Sequence, residues 1–292
     1  MCIGDRPLRL FSRRKLLGIL GSTLCTRPGF ALGRDRFRLG ITPVFLDNDA
    51  NLLDKLGTAL SEASGFTVEF EQRRTYEEVT GLLLQGAVDA AWLCGFPFLQ
   101  HQDALSLLAI PVWHGQPLYQ SYLIVGASDT ATTLDDLKGA AHAFSDPDSN
   151  SGYLMTVTDL VRAGETPTDF FSRSIFTYGH RNVVRAVAAG LVRSGSVDGY
   201  VWEVLAKEEP ELTRRTKVIA KSEWVGFPPF CARKERMSEP RIRAFQKALL
   251  TLVEQDTGKQ ALDLLQLDGM ALGEPDLYAG IAARMRELEA LR

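Results

Sequence analysis

Histidine and cysteine are scarce in this 292-residue chain, four of each, and neither falls into the spacings that metal sites need. His101, His114, His142 and His180 form no HxH or HExxH pair and have no Cys/His cluster beside them, so no metal and no cofactor is expected. GxSxG and P-loop motifs are missing, and neither His180 nor Cys94 has a base–nucleophile partner in the pattern, so the chain does not read as an enzyme. Asp47 and Asp49 hint at calcium, but the EF-hand continuation is lacking and an Asp-rich helix start accounts for both. Long apolar runs are lacking as well. The one outside core-like segments, residues 16–24, is about half of what a spanning helix needs, so no stable membrane insertion is expected. A basic surplus is absent too: the formal net charge is −3, which disfavours a nucleic-acid partner.

What is present begins with Ser12-Arg13-Arg14-Lys15-Leu16-Leu17, a basic stretch leading into that short apolar run and then to the small-residue site Gly29-Phe30-Ala31. This order reads as a twin-arginine signal peptide over residues 1–31 and predicts a periplasmic product. Cys25 follows Leu24, where lipid attachment wants a small residue, so a soluble form is favoured over a lipoprotein. Cleavage removes six basic residues and one acidic residue, leaving 27 against 35. It also removes Cys2 and Cys25; Cys94 and Cys231 remain, too few for a disulfide scaffold.

Strand and helix patterns then alternate. Strands are predicted at 37–41, 67–70, 86–93, 107–112 and 119–125, with helices at 52–63 and 76–84 between them. The alternation restarts with a strand at 141–144, a helix from 154 to 163, a strand at 175–176, a helix at 182–191 and a strand at 197–201. Gly86-Ala87-Val88-Asp89 and Gly195-Ser196-Val197-Asp198 each follow a helix, which suggests two lobes of similar plan and a structural role for Asp198 like that of Asp89. Helices at 240–252, 258–267 and 275–291 have no matching strands and are expected to pack back on the first lobe. The reading is α/β, with lobe one at 32–127 plus 228–292 and lobe two at 128–227. A ligand cleft is expected between them, at the carboxyl ends of the strands.

One stretch stands out chemically. Asp146-Pro147-Asp148-Ser149-Asn150-Ser151-Gly152-Tyr153 is a polar turn released into a helix start. Unpaired N–H groups and the helix dipole favour an anion there, and the Ser149 and Ser151 hydroxyls stand beside them. Any one of Ser149, Asn150 and Ser151 is explained as a helix cap; three in a row before glycine exceed what capping needs.

Together with Asp135-Asp136-Leu137-Lys138-Gly139, this stretch resembles the signature of the PhnD-like periplasmic substrate-binding proteins, over nearly the whole chain after the export segment. The resemblance implies a two-lobed periplasmic-binding-protein fold, type II-like, and capture of a small oxyanion by a monomer that serves an ABC permease. It places ligand contacts at Ser149, Asn150, Ser151 and His180, the last at the start of its helix in Gly179-His180, and at Thr42 near the first strand. A helix-capping role for His180 and a plain turn at Thr42 are the alternatives. Gly226-Phe227-Pro228-Pro229-Phe230 departs from the phosphonate-binding pattern by lacking a carboxylate, which counts against an aminophosphonate. Cys94 is an inert buried thiol, half of a disulfide with Cys231, or a soft ligand. Some proteins similar to this family are sensors that hold arsenite through a cysteine, so a receptor coupled to a sensor histidine kinase is the alternative function.

Overall fold

The computed structural model of the chain describes residues 35–44 and 50–290. The export segment, Phe45, Asp47 and Asp49 lie outside the described residues. The chain runs β1 (Arg36–Ile41), α1 (Ala50–Ser64), β2 (Thr67–Gln72), α2 (Tyr76–Leu84), β3 (Ala90–Trp92), α3 (Gly95–Gln100) and β4 (Leu105–Val112). After β5 (Leu118–Tyr119) come β6 (Ser121–Gly126), β7 (Ala141–Phe144), α4 (Met155–Arg162), α5 (Pro167–Phe170) and β8 (Arg173–Phe176). They are followed by α6 (His180–Ala188), β9 (Ser194–Asp198), α7 (Gly199–Glu208), α8 (Pro210–Thr213) and β10 (Thr216–Lys221). The return passes through β11 (Val225–Gly226) to β12 (Phe230–Arg233), α9 (Pro240–Leu250), α10 (Asp256–Leu265), β13 (Gly269–Ala271) and α11 (Ala279–Glu289).

Two large sheets result, in the orders β13-β4-β12-β3-β1-β2 and β10-β6-β9-β7-β8, beside a two-stranded one, β11-β5. Each large sheet has a parallel block, β3-β1-β2 or β9-β7-β8, flanked by antiparallel strands. Both passages between the sheets run side by side, where β5 pairs antiparallel with β11. The chain therefore enters the second sheet at Ser121, earlier than the expected break at 127/128.

Alternation builds β1: Phe37, Leu39 and Ile41 are buried while Arg36 and Arg38 are exposed. Phe37 stacks on Phe245 of α9 at 4.1 Å between ring centres. Burial of side chains this size stabilises by roughly 1.5–3 kcal/mol each. Helix α2 starts on a capping box, in which Thr75 accepts from the Glu78 N–H and Glu78 accepts from that of Thr75.

Three expectations are corrected. The strand predicted at 86–93 is only Ala90–Trp92, because residues 86–89 turn, with Gly86 at φ +73°. The strand predicted at 197–201 ends at Asp198, whose carboxylate accepts the N–H groups of Tyr200 and Val201 and starts α7. The terminal helices divide: α9 and α10 pack on α1, whereas α11 lies against both α3 and α4. Arg284 of α11, buried, holds Glu223 through two bonds of 3.0 and 2.8 Å, the Thr158 hydroxyl at 2.8 Å, and Asp159. This helix therefore ties the two lobes together rather than covering the first alone.

Candidate functional site

Parallel strands send their carboxyl ends and the following helix starts toward one edge, and here the edges of both sheets face each other. Helix starts of α2 at Thr75, α3 at Cys94, α6 at Gly179 and α7 at Asp198 meet there. The polar turn after β7 joins them through a five-residue π-helical turn, Asn150–Leu154, that leads into α4.

Ser149 caps that turn, its Oγ accepting the Gly152 N–H at 3.0 Å. Glycine at 152 is dictated by close packing: a Cβ there would stand 1.8 Å from the Ser145 Oγ. Asn150 reaches across the cleft twice. Its N–H donates to the Cys94 Sγ at 3.3 Å, and its Nδ2 donates to the Tyr119 Oη at 2.9 Å. Ser151 lies beside the same tyrosine, and its carbonyl accepts from the Ser121 hydroxyl at 2.6 Å. The Asn150 Oδ1 and the Ser145 Oγ are buried with no hydrogen-bond partner, a costly state that a bound group with matching polarity would relieve.

His180 is fixed in one tautomer. Its Nδ1 accepts the Asp198 N–H at 3.0 Å, which places the ring proton on Nε2, 3.1 Å from the Tyr76 Oη. Burial pushes its pKa down to about 3, so the ring is neutral and still a donor. Tyr76 is clasped at both ends by the second lobe: its hydroxyl by His180, its N–H by the Asp146 Oδ2 at 3.2 Å.

Thr42 stands apart from this group. Its hydroxyl donates to the Trp92 carbonyl at 3.1 Å, extending the β1–β3 pairing, and its side chain lines a small cavity between the lobes. Cys94 caps α3 without a side-chain cap bond, and burial pushes its thiol up to about 11, against the pull of the Phe96 and Asn150 amides. Cys94 and Cys231 are both buried and unbonded.

The structure thus gathers Ser149, Asn150, Ser151, His180 and Cys94, and it adds Tyr76, Tyr119, Asp146 and Asp198. Tyr76 has a signal in the sequence, since it opens the helix predicted at 76–84. Tyr119 has none. The structural reading of Asp198 holds, since its carboxylate caps α7, but the positional analogy with Asp89 fails: Asp89 precedes β3, whereas Asp198 ends β9 at the cleft, where burial raises its carboxyl to about 7.

Two facing lobes, and a buried cleft whose donors are backbone amides, hydroxyls and a neutral imidazole, define a ligand-binding protein. Residues 39–278 match the family described as the ABC transporter, phosphonate, periplasmic substrate-binding protein, and the chain belongs to that family, whose members bind substrate for transport and are not enzymes. It is 27% identical over 192 residues to the phosphate-import protein PhnD of Mycolicibacterium smegmatis, a match covering 61% of this chain and 60% of that protein. Its fold is similar to a binding component of an ABC phosphonate transporter from Pseudomonas aeruginosa, with a TM-score of 0.79, 22% identity and 89% of each chain covered. It is also similar to PhnD1 of Prochlorococcus marinus in complex with methylphosphonate, with a TM-score of 0.75, 19% identity, and 87% and 98% of the two chains covered. Among the described residues no helix is long and apolar enough to cross a membrane.

Proposed function

We propose that this protein, exported by the twin-arginine route, captures a small oxyanion of the phosphate, phosphite or phosphonate class as a monomer and passes it to an ABC permease. The observation that carries the reading is the meeting of helix starts around Ser149, Asn150 and Ser151 with a histidine held as an uncharged donor. Helix dipoles and fixed N–H groups hold an anion without a bulky cation. Tyr76, Asn150 and Cys94 already cross the cleft, so an anion bridging both lobes would add to contacts that favour closure. The receptor reading has no comparable support: Cys94 is a single thiol, its sulfur accepts from Asn150, and its raised pKa leaves it protonated at neutral pH.

The test is a thermal-shift screen against oxyanions, followed by calorimetry on Ser149→Ala with Ser151→Ala. An anion at a hundred times Kd adds about 2.7 kcal/mol of stability. Each hydroxyl lost from a charged ligand costs about 1.5–3 kcal/mol of affinity. Unchanged affinity in the double variant would leave Ser149 and Ser151 as capping residues only.

A further inference from the structure

The 149–154 turn is held from behind by a residue far from it in sequence. The Thr158 hydroxyl donates to the carbonyls of Leu154, last residue of the turn, and Met155, first residue of α4, at 2.8 and 3.0 Å. That hydroxyl accepts from the Arg284 Nη1 at 2.8 Å, and Nη1 also donates to the Met155 carbonyl at 3.2 Å and to the Asp159 carboxylate. The other edge of the guanidinium forks onto Glu223, through Nε at 3.0 Å and Nη2 at 2.8 Å. Glu223 stands on the return passage between β10 and β11, beside Ser222. The Ser222 N–H donates to the Ser121 carbonyl, and its hydroxyl accepts the Ser121 N–H, each at 2.9 Å. Ser121, on the outward passage, gives its own hydroxyl to the Ser151 carbonyl. The turn is thus bonded to both passages between the lobes: to the outward one at Ser151, and to the return one through Arg284.

Arg284 does this from α11, and α11 is also seated on lobe one. The seat is close: a Cβ on Gly95, first residue of α3, would stand 2.7 Å from the Ile281 Cδ1 and 2.9 Å from the Tyr278 ring. Tyr278, just before α11, donates its hydroxyl to the Phe227 carbonyl at 2.8 Å. The residue before Gly95 is Cys94, the acceptor of the Asn150 N–H. Helix α11 is therefore a spacer between α3 and α4, and its fit fixes how far the turn stands from lobe one. A second α11–α4 pair, Glu287 with Arg162, lies on the exposed surface at the far end of α4 and contributes little.

We propose that Arg284 is a positioning residue for anion capture: by locking α11 to α4 and to the return passage, it sets the spacing across the cleft while touching no ligand. The inference rests on the anion cradle proposed above. A planar guanidinium bonds Glu223 on one edge and α4 on the other at a fixed angle, which the single ammonium of lysine does not reproduce. Arg284 is 3% exposed, so its two carboxylate partners are held with little competition from water.

Spin labels on Leu191→Cys in lobe two and Val253→Cys in lobe one, both exposed while Cys94 and Cys231 are buried, report the spacing of the lobes. Without anion, Arg284→Lys should broaden the inter-label distance distribution relative to the labelled wild type. In calorimetry it should weaken phosphate and methylphosphonate binding about tenfold each, the loss expected when about a tenth of the molecules hold the capture geometry. The ratio of the two affinities should stay the same, since no ligand contact changes. Glu223→Gln, which removes the charge on the passage side only, should act in the same direction more weakly, and it carries the test if the Arg284 variant fails to fold. Glu287→Gln should leave distances and affinities as they are. Unchanged distances in both Arg284→Lys and Glu223→Gln would overturn the proposal. A loss confined to one anion would also overturn it, by placing the effect of Arg284 inside the site. An equal effect from Glu287→Gln would overturn it by showing that any contact between α11 and α4 suffices. A wild type that binds neither anion would overturn the cradle, and the label distances, which need no anion, would still decide for or against Arg284 as the spacer lock.

Discussion

β3 and β9 hold the same place in their sheets, each with a parallel neighbour on one side and an antiparallel neighbour on the other. Each is followed by a helix that starts at the cleft, yet the capping residues differ: Cys94 makes no cap bond to α3, while Asp198 caps α7 twice. The Gly-x-Val-Asp runs do not mark this equivalence. Asp89 precedes β3, where it accepts the Arg38 N–H at 2.9 Å and pairs with Arg236 and Arg241 at 3.1 and 3.0 Å. Asp198 sits at the opposite end of its strand, buried, with amide partners and no cation. One local motif therefore supplies an anchoring ion pair in one lobe and a cleft carboxyl in the other. What a carboxylate does is set by which end of the strand it occupies, because only the carboxyl end opens on the cleft.

Replacing the cleft carboxyl should have the largest effect. Burial raises Asp198 from 3.8 to about 7, so the folded protein keeps a proton that the unfolded chain releases between those values. The sign follows: the group's contribution is favourable at low pH, declines as pH rises from about 4 to 7, and is flat above. The full decline is on the order of 4 kcal/mol. Asp198→Asn keeps a good helix cap and removes the titration. Denaturant unfolding of the ligand-free proteins should show the variant gaining on the wild type between pH 5 and pH 8. Asp146 and Asp148, also raised by burial, tilt both proteins in the same direction and cancel in the difference. A variant-minus-wild-type difference that does not change with pH would mean Asp198 is not a buried titrating group.

The anchoring partner gives a smaller and different response. Asp89→Ala leaves Arg236 and Arg241 without a shared carboxylate, and the pair is only partly buried, so the loss should be about 2 kcal/mol of stability. Oxyanion affinity should not move, since Asp89 lies at the far end of β3. The double variant with Asp198→Asn should be additive within about 0.5 kcal/mol at a fixed pH. A loss of affinity in Asp89→Ala would break the contrast between the two ends.

Elements with strong periodicity are legible in the amino-acid order itself. The helix predicted at 76–84 coincides with α2 because its apolar spacing agrees with the capping box that the structure shows at Thr75, and the strand predicted at 141–144 coincides with β7. Where β-branched and small residues satisfy two patterns at once, local reading slips: Val197 and Val201 suggest one strand, but the Asp198 cap converts the second half into helix. Residues 202–221, which carry no predicted element, contain most of α7, all of α8 and β10. The cradle is legible because its donors are local in sequence. Its partners are not: Asn150 meets Tyr119 31 residues away and Cys94 56 residues away, and Tyr76 meets His180 across 104. Such pairings depend on how the lobes face each other, which no local pattern encodes.

The smallest expected effect sharpens the comparison from the other capping position. Cys94→Ser puts a hydroxyl where α3 has no side-chain cap bond, and serine is a strong N-cap residue. The same oxygen replaces the sulfur that accepts the Asn150 N–H, but from a shorter bond to Cβ, so part of that cross-cleft contact is lost. The two changes oppose each other and should leave stability within about 1 kcal/mol of the wild type. Oxyanion affinity should stay within a few-fold, because the Ser149 and Ser151 hydroxyls and His180 are untouched and only the Asn150 N–H changes its acceptor. The thiol count checks the starting state: Cys94 and Cys231 are unbonded and buried, so a thiol reagent should react with both only after unfolding, and with one fewer in the variant. An arsenite-induced stabilisation that disappears in Cys94→Ser would show that the thiol binds ligand, and would turn the contrast between Cys94 and Asp198 from two helix-start residues into one ligand-binding position and one cap.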